Sequence, residues 1–349
     1  VTPAVASAFA KQAEWSVLLG SPFMARLCEA LPRALAAATG VGRTVGNWPG
    51  DAFADALVIR LAGGLHALVR RGAAPALAAL YPPAPTPGID VLAAALAGVL
   101  ARYDAWLVAW LDAPPQTNEV GRAAALMAGL LDVTARTRLP LRLFELGASA
   151  GLNLRLDAYG YDLGGRVLGP PAAPVRLTPD WQGPPPPNAK LDVIARRGVD
   201  IAPIDVTDPA ARERLIAFVW PDQVARLERL AAALAEAAAD PPPIDRADAA
   251  GWVEATVAPV TGATTVVFHS IAYQYFPATS QARIAAHMDA MGSRARADQP
   301  LAWLRYELDA ASDNTAPPTL RLRLWPDGTD RLLARVHPHG SSVSWLGEG

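Results

Sequence analysis

A run of mostly apolar residues, Pro140-Leu-Arg-Leu-Phe-Glu-Leu146, ends directly on Gly147-Ala-Ser-Ala-Gly151, and a helix-like stretch, Leu152–Ala158, follows at once. A strand that turns this tightly into a helix calls for glycine, which takes left-handed backbone angles without steric cost. Glycines at such a turn also let the backbone approach a ligand closely. The first turn of the helix behind it carries unpaired N–H groups and positive dipole potential. At the strand end, the Glu145 carboxylate is placed to accept a hydrogen bond from a ligand amino or hydroxyl group. The motif therefore commits the chain to a fold built on strand–turn–helix units.

Downstream the pattern keeps alternating. Asp192–Ile204 reads as a strand broken by a turn, and Asp208–Ala239 as a long helical stretch interrupted at Trp220-Pro221. Pro243–Arg246 reads as a short strand, Ala249–Val257 as a helix, Thr264–His269 as a strong β run and Ser280–Met291 as a helix. Leu301–Leu308, Leu320–Trp325 and Leu332–His337 read as further strands, with Ser341–Trp345 extending the last. Strands alternating with helices imply parallel βαβ units with right-handed crossovers. The alternation then stops, and Asp327-Gly328 joins two strands as the turn of an antiparallel hairpin does.

The expected fold class is α/β. A Rossmann-like, mostly parallel sheet with a terminal antiparallel hairpin is expected over residues 139–349, with a Gly/Pro-rich insertion spanning about 159–190. Residues 1–138 read as an all-helical cap region, with alanine and leucine at helical spacing in Pro22–Ala38, Asp51–Arg70, Ile89–Trp110 and Glu119–Thr137. Only a polar, proline-containing loop separates Leu308 from Leu320, so the N-terminal helices are expected to cover the sheet face that a crossover helix there would have covered.

Composition removes several classes of function. The net charge is -2 and no segment concentrates Lys and Arg, which argues against a nucleic-acid binder. Cys28 is the single cysteine, so no intrachain disulfide forms. His337-Pro-His339 and the isolated His66 and His287 lack the Cys or Asp/Glu neighbours of a metal site, and no metal is expected. No apolar run is long enough to span a bilayer and the N-terminus lacks a signal-peptide pattern, so a cytoplasmic protein with a small-molecule substrate is expected.

Glu145-x-Gly147-x-Ser149-x-Gly151 resembles motif I of class I S-adenosylmethionine-dependent methyltransferases, with Ser149 replacing the commoner middle glycine. Gln116–Arg122, Phe144–Leu154, Pro203–Asp208 and Val219–Gln223 resemble the bacterial domain-of-unknown-function family 2332, across nearly the whole chain. The first resemblance implies S-adenosylmethionine as cofactor, held by Glu145, Gly147, Ser149, Gly151 and Asn153. In that superfamily an acidic residue at the end of the second strand holds the ribose, which implies Asp200 or Asp205. One after the third strand meets the adenine amino group, which implies Asp248.

Reactive groups of open α/β sheets cluster beyond the carboxyl ends of the strands. The fourth strand ends in Phe268-His269-Ser270-Ile-Ala-Tyr273-Gln-Tyr275, so His269 is expected as a general base, with Tyr273 and Tyr275 orienting the substrate. A helix that packs antiparallel to the first strand must start near that strand's carboxyl end. Asn118, Glu119 and Arg122, at the start of this helix, are therefore expected to border the crevice and touch substrate. Two other readings remain open. The same fold can serve as a non-catalytic ligand-binding or interaction module. Alternatively, Gly147-x-Ser149-x-Gly151 is the nucleophile elbow of a serine hydrolase, although the helical upstream sequence lacks the strands that precede such an elbow.

Overall fold

The computed structural model describes residues 1–308 and 316–347. Two compact units share the chain: Val1–Thr117 with Asp208–Glu228, and Asn118–Thr207 with Arg229–Gly349.

The first unit is helical. Helices Pro3–Leu18, Pro22–Ala34, Leu57–Arg70 and Ile89–Arg102 carry its core, in which Phe9, Phe23, Leu27, Leu31, Leu57 and Leu61 are fully buried. Pro3–Leu18 forms a helix that the sequence reading did not single out; Pro3 stands at its first position and Thr2 caps it. Ile89–Trp110, read as one helix, is two, Ile89–Arg102 and Asp104–Leu111, bent by 88°. Asp104 makes the break useful: its carboxylate accepts the Gly40 and Val41 N–H groups at 2.8 and 2.6 Å. The segment Asp208–Glu228 is stapled into this unit. Asp222 accepts the Ser21 hydroxyl and, at 2.9 Å, the Phe23 N–H at the start of Pro22–Ala34, while Gln223 donates to the Leu19 carbonyl at 3.1 Å.

The second unit is built on a nine-stranded sheet. In chain order the strands are β1 (Leu141–Leu146), β2 (Gly160–Leu163), β3 (Arg166–Leu168), β4 (Arg176–Leu177), β5 (Asp180–Gln182), β6 (Val193–Asp200), β7 (Ile244–Arg246), β8 (Thr264–Ser270), β9 (Leu301–Glu307), β10 (Thr319–Trp325), β11 (Thr329–Val336) and β12 (Ser342–Trp345). The sheet runs β5-β12-β11-β10-β9-β8-β1-β6-β7. Strands β7, β6, β1, β8 and β9 are parallel, and β9 to β12 then run antiparallel. Every residue of β8 is buried, as expected for a central parallel strand covered on both faces. The molecule is thus a mixed α/β protein with a large, mostly parallel sheet and helices.

One face of the sheet shares its core with helices Ala249–Thr256 and Ala278–Gly292, through Phe144, Val199, Val267 and Trp303. Helix Ala123–Thr137, read above with the helical cap, packs against β9, β10 and β11. A Cβ on its Gly129 would stand 2.7 Å from Leu304, so glycine is what lets the helix approach this closely. Residues 309–315 of the proline-containing loop lie outside the described residues. Ser342–Trp345 does not extend the preceding strand: the chain reverses at Gly340 (φ +70°) and pairs back on β11. The insertion forms a small sheet, β3-β2-β4, and sends β5 to the far edge of the main sheet beside β12.

Candidate functional site

The strand order reverses between β1 and β8, and in open parallel sheets that point opens a crevice beyond the carboxyl ends of the strands. The glycine turn sits there. Gly147, Ser149 and Gly151 have φ of +68°, +53° and +70°, so two of the three left-handed positions carry the residue that accepts them freely. A Cβ on Gly147 would stand 2.7 Å from Ala272, and one on Gly151 2.5 Å from Pro242.

Four of the five backbone N–H groups of the turn Gly147–Gly151 are engaged within the protein. Gly147 and Ala148 donate to the Val199 carbonyl at 2.9 and 3.0 Å, and Gly151 donates to Ala148 at 2.7 Å. Ser149 donates to Asp200, and Leu152 to the Asn118 side chain at 2.9 Å. Side chains carry the unfilled hydrogen-bonding capacity instead. Glu145 is 1% exposed and its Oε2 has no hydrogen-bond partner; the Ser149 Oγ and both polar atoms of the fully buried Asn153 are also without partners. Burial raises the Glu145 pKa well above the usual carboxylate range; the neighbouring Asn153 amide and the Arg122 charge oppose this shift, while Asp200 adds to it. Neither a histidine nor a carboxylate hydrogen-bonds Ser149 Oγ, so the nucleophile–base contact of a serine hydrolase is not formed.

Asn118, Glu119 and Arg122 do come to this end of the sheet. Besides the Asn118 contact, Arg122 donates to the carbonyls of Ser270, at the end of β8, and Pro338, at 2.8 and 2.9 Å. Glu119 accepts the Gly121 N–H at 3.0 Å and faces the Arg229 guanidinium at 3.7 Å. Asp200 ends β6 beside the turn. Asp205 accepts from Thr207 N and Oγ1, and Asp248 caps Ala249–Thr256 through Ala250 and Gly251 N.

His269 is placed differently from expectation. It is fully buried; its Nδ1 lies 2.6 Å from Glu307 Oε1, and the Trp303 indole donates to its Nε2 at 3.1 Å. Because an indole N–H only donates, Nε2 is the acceptor of that bond, which leaves Nδ1 to donate to Glu307. Both ring nitrogens of the residue expected above as a general base are engaged by protein groups. Tyr273 stacks on His269 at 4.8 Å and donates its hydroxyl to the Gln281 carbonyl at 2.6 Å, while Tyr275 is 73% exposed.

Glu307, at the end of the fifth parallel strand, escaped the sequence reading. Its Oε1 accepts from His269 Nδ1 and from the N–H groups of Ala272 and Tyr273, at 3.0 and 3.1 Å, yet Oε2 has no partner. Burial pushes its carboxyl up, but the hydrogen bond and the charge of His269, with the two N–H groups, outweigh that and hold it below the usual range. The available signal was an acidic residue at a strand's carboxyl end. Among the described residues no group of three or more His, Cys, Asp or Glu could hold a metal, and no single helix is long and apolar enough to cross a membrane.

Strand order and glycine turn together define a mixed α/β protein with a turn-borne polar cluster at the switch point of its sheet. Within that class, the chain belongs to the family described as "Uncharacterized protein conserved in bacteria (DUF2332)", which matches residues 6–345 and so takes in both units. No curated protein and no solved structure matches the chain.

Proposed function

We propose that the chain binds S-adenosylmethionine at the carboxyl end of β1 and serves methyl transfer to a small-molecule acceptor. The observation that carries this reading is the set of buried, unpartnered polar atoms on one strand–turn–helix segment: Glu145 Oε2, Ser149 Oγ and the Asn153 amide. Each such group left unpaired costs about 1–3 kcal/mol, which a ligand supplying the missing bonds recovers. An ammonium or amino group suits Glu145 and Asn153 Oδ1, and a carboxylate suits Asn153 Nδ2. The cofactor would thus be held chiefly by side chains, since the N–H groups of Gly147, Ala148, Ser149, Gly151 and Leu152 are engaged internally. When bound it supplies an electrophilic methyl group. The chain's contribution is orientation and exclusion of water around that group.

The engagement of both His269 nitrogens favours a second reading, a binding module with the same crevice and no histidine base. Calorimetric titration with S-adenosylmethionine and S-adenosylhomocysteine tests the shared premise. Saturable binding to the wild type, about tenfold weaker in Asn153→Ala, supports the site. No heat and an unmoved melting temperature in the folded wild type would sink the cofactor assignment.

A further inference from the structure

We propose that Glu307 is the recognition group for a cationic amine on the small-molecule acceptor, an inference that rests on the methyltransferase reading. The geometry is one-sided. Three donors hold Glu307 Oε1: the His269 ring and the consecutive N–H groups of Ala272 and Tyr273. They fix the carboxylate in position and leave Oε2, buried and unpartnered, as the oxygen that can take another donor. Ionisation of the group fits its depressed pKa.

No lysine or arginine among the described residues pairs with Glu307, and its one ionisable partner, His269, lies on Oε1 and leaves Oε2 unmet. An anion with a side chain only 15% exposed is expected to be compensated, and a bound cation is the simplest compensation. The surrounding rings narrow the chemistry. Tyr273 lies 5.7 Å from Phe276 and 6.0 Å from Trp303, so aromatic surface stands beside the carboxylate. Aromatic faces attract organic ammonium groups, whereas a strongly hydrated metal ion would need several oxygen ligands that are not grouped here. Glu307 also stands at the carboxyl end of β9, two strands from the glycine turn, where open sheets gather their substrate groups.

The test is titration of the purified protein with benzylammonium and with its uncharged isostere benzyl alcohol, read by calorimetry and by the Trp303 indole N–H resonance. The wild type is expected to bind benzylammonium saturably with a shift of that resonance, and benzyl alcohol about tenfold more weakly or worse. Glu307→Gln, which keeps the shape of the side chain, is expected to weaken benzylammonium about tenfold. Glu307→Asp serves as the second variant, expected to retain the preference for the charged probe. Absence of saturable benzylammonium binding to the folded wild type, equal affinity for the two probes, or an unchanged affinity in a folded Glu307→Gln overturns the proposal. S-adenosylhomocysteine titrated into the same samples separates the two claims: its failure to bind the wild type strikes the cofactor reading, while its binding equally to wild type and Glu307→Gln leaves the amine result to be judged alone.

Discussion

Ser149 donates its backbone N–H to Oδ2 of Asp200 at 2.8 Å, across 51 positions of sequence, so the end of β6 fixes the shape of the turn after β1. The other oxygen of Asp200 accepts the Ala202 N–H at 2.9 Å. Asp200→Ala leaves both donors without this acceptor and is expected to destabilise the protein by about 1–3 kcal/mol. Asp200→Asn, which keeps one acceptor oxygen, is expected to recover part of the loss. Denaturant melts of the two variants check this, and an Asp200→Ala midpoint equal to wild type would contradict it.

Glu145 gives stability a dependence on pH. Its folded pKa is raised by burial, so its contribution is fully present below the ordinary carboxylate pKa and is lost as pH climbs through the raised value. Glu145→Gln removes the ionisation. The variant is expected to show a flatter melting-temperature profile than wild type as pH rises above the ordinary carboxylate range. Parallel profiles would mean that Glu145 does not govern this slope.

His66 acts in the opposite direction within the helical unit. Burial pushes its pKa down to about 4, while its Nδ1 lies 3.1 Å from the Ala217 carbonyl. Protonation therefore favours the unfolded chain. The contribution is intact above about pH 6.5 and is lost as pH falls towards 4, by roughly 3 kcal/mol at the acid limit. His66→Gln is expected to lose less stability than wild type across that window in acid titrations followed by circular dichroism.

The sequence displayed the parallel half of the fold clearly, because β1, β8 and β9 are apolar runs bounded by turn residues and buried on both sides. Asn118 and Arg122 are expected near the carboxyl end of β1 because a helix antiparallel to that strand has only one place to begin; they bond Leu152 and Ser270. The role of His269 was not legible. Its partners, Trp303 and Glu307, are 34 and 38 residues away on the next strand, and nothing local reveals that both ring nitrogens are satisfied. The same holds for the turn's N–H groups, consumed by Val199 and Asp200 from a neighbouring strand. Periodicity reports which face is buried; it does not report which polar atoms meet across strands.

Asp222 offers a test of the helical unit. It accepts from Ser21 and Phe23 at the first turn of Pro22–Ala34, so Asp222→Ala is expected to lower stability by about 1–2 kcal/mol. A fragment ending at residue 117 lacks Asp222, Gln223 and Ala217 altogether, and is expected to unfold without a sharp transition. A sharp, cooperative melt of that fragment would show that Asp208–Glu228 is dispensable.

The placement of Asp208–Glu228 also sets a timetable for synthesis. As the chain leaves the ribosome, the helical unit has to wait for its last segment while the glycine turn, the insertion and β6 emerge in between. Its completion is therefore interleaved with the birth of the sheet, and the stretch from 118 to 207 must be held off from wrong partners during that interval.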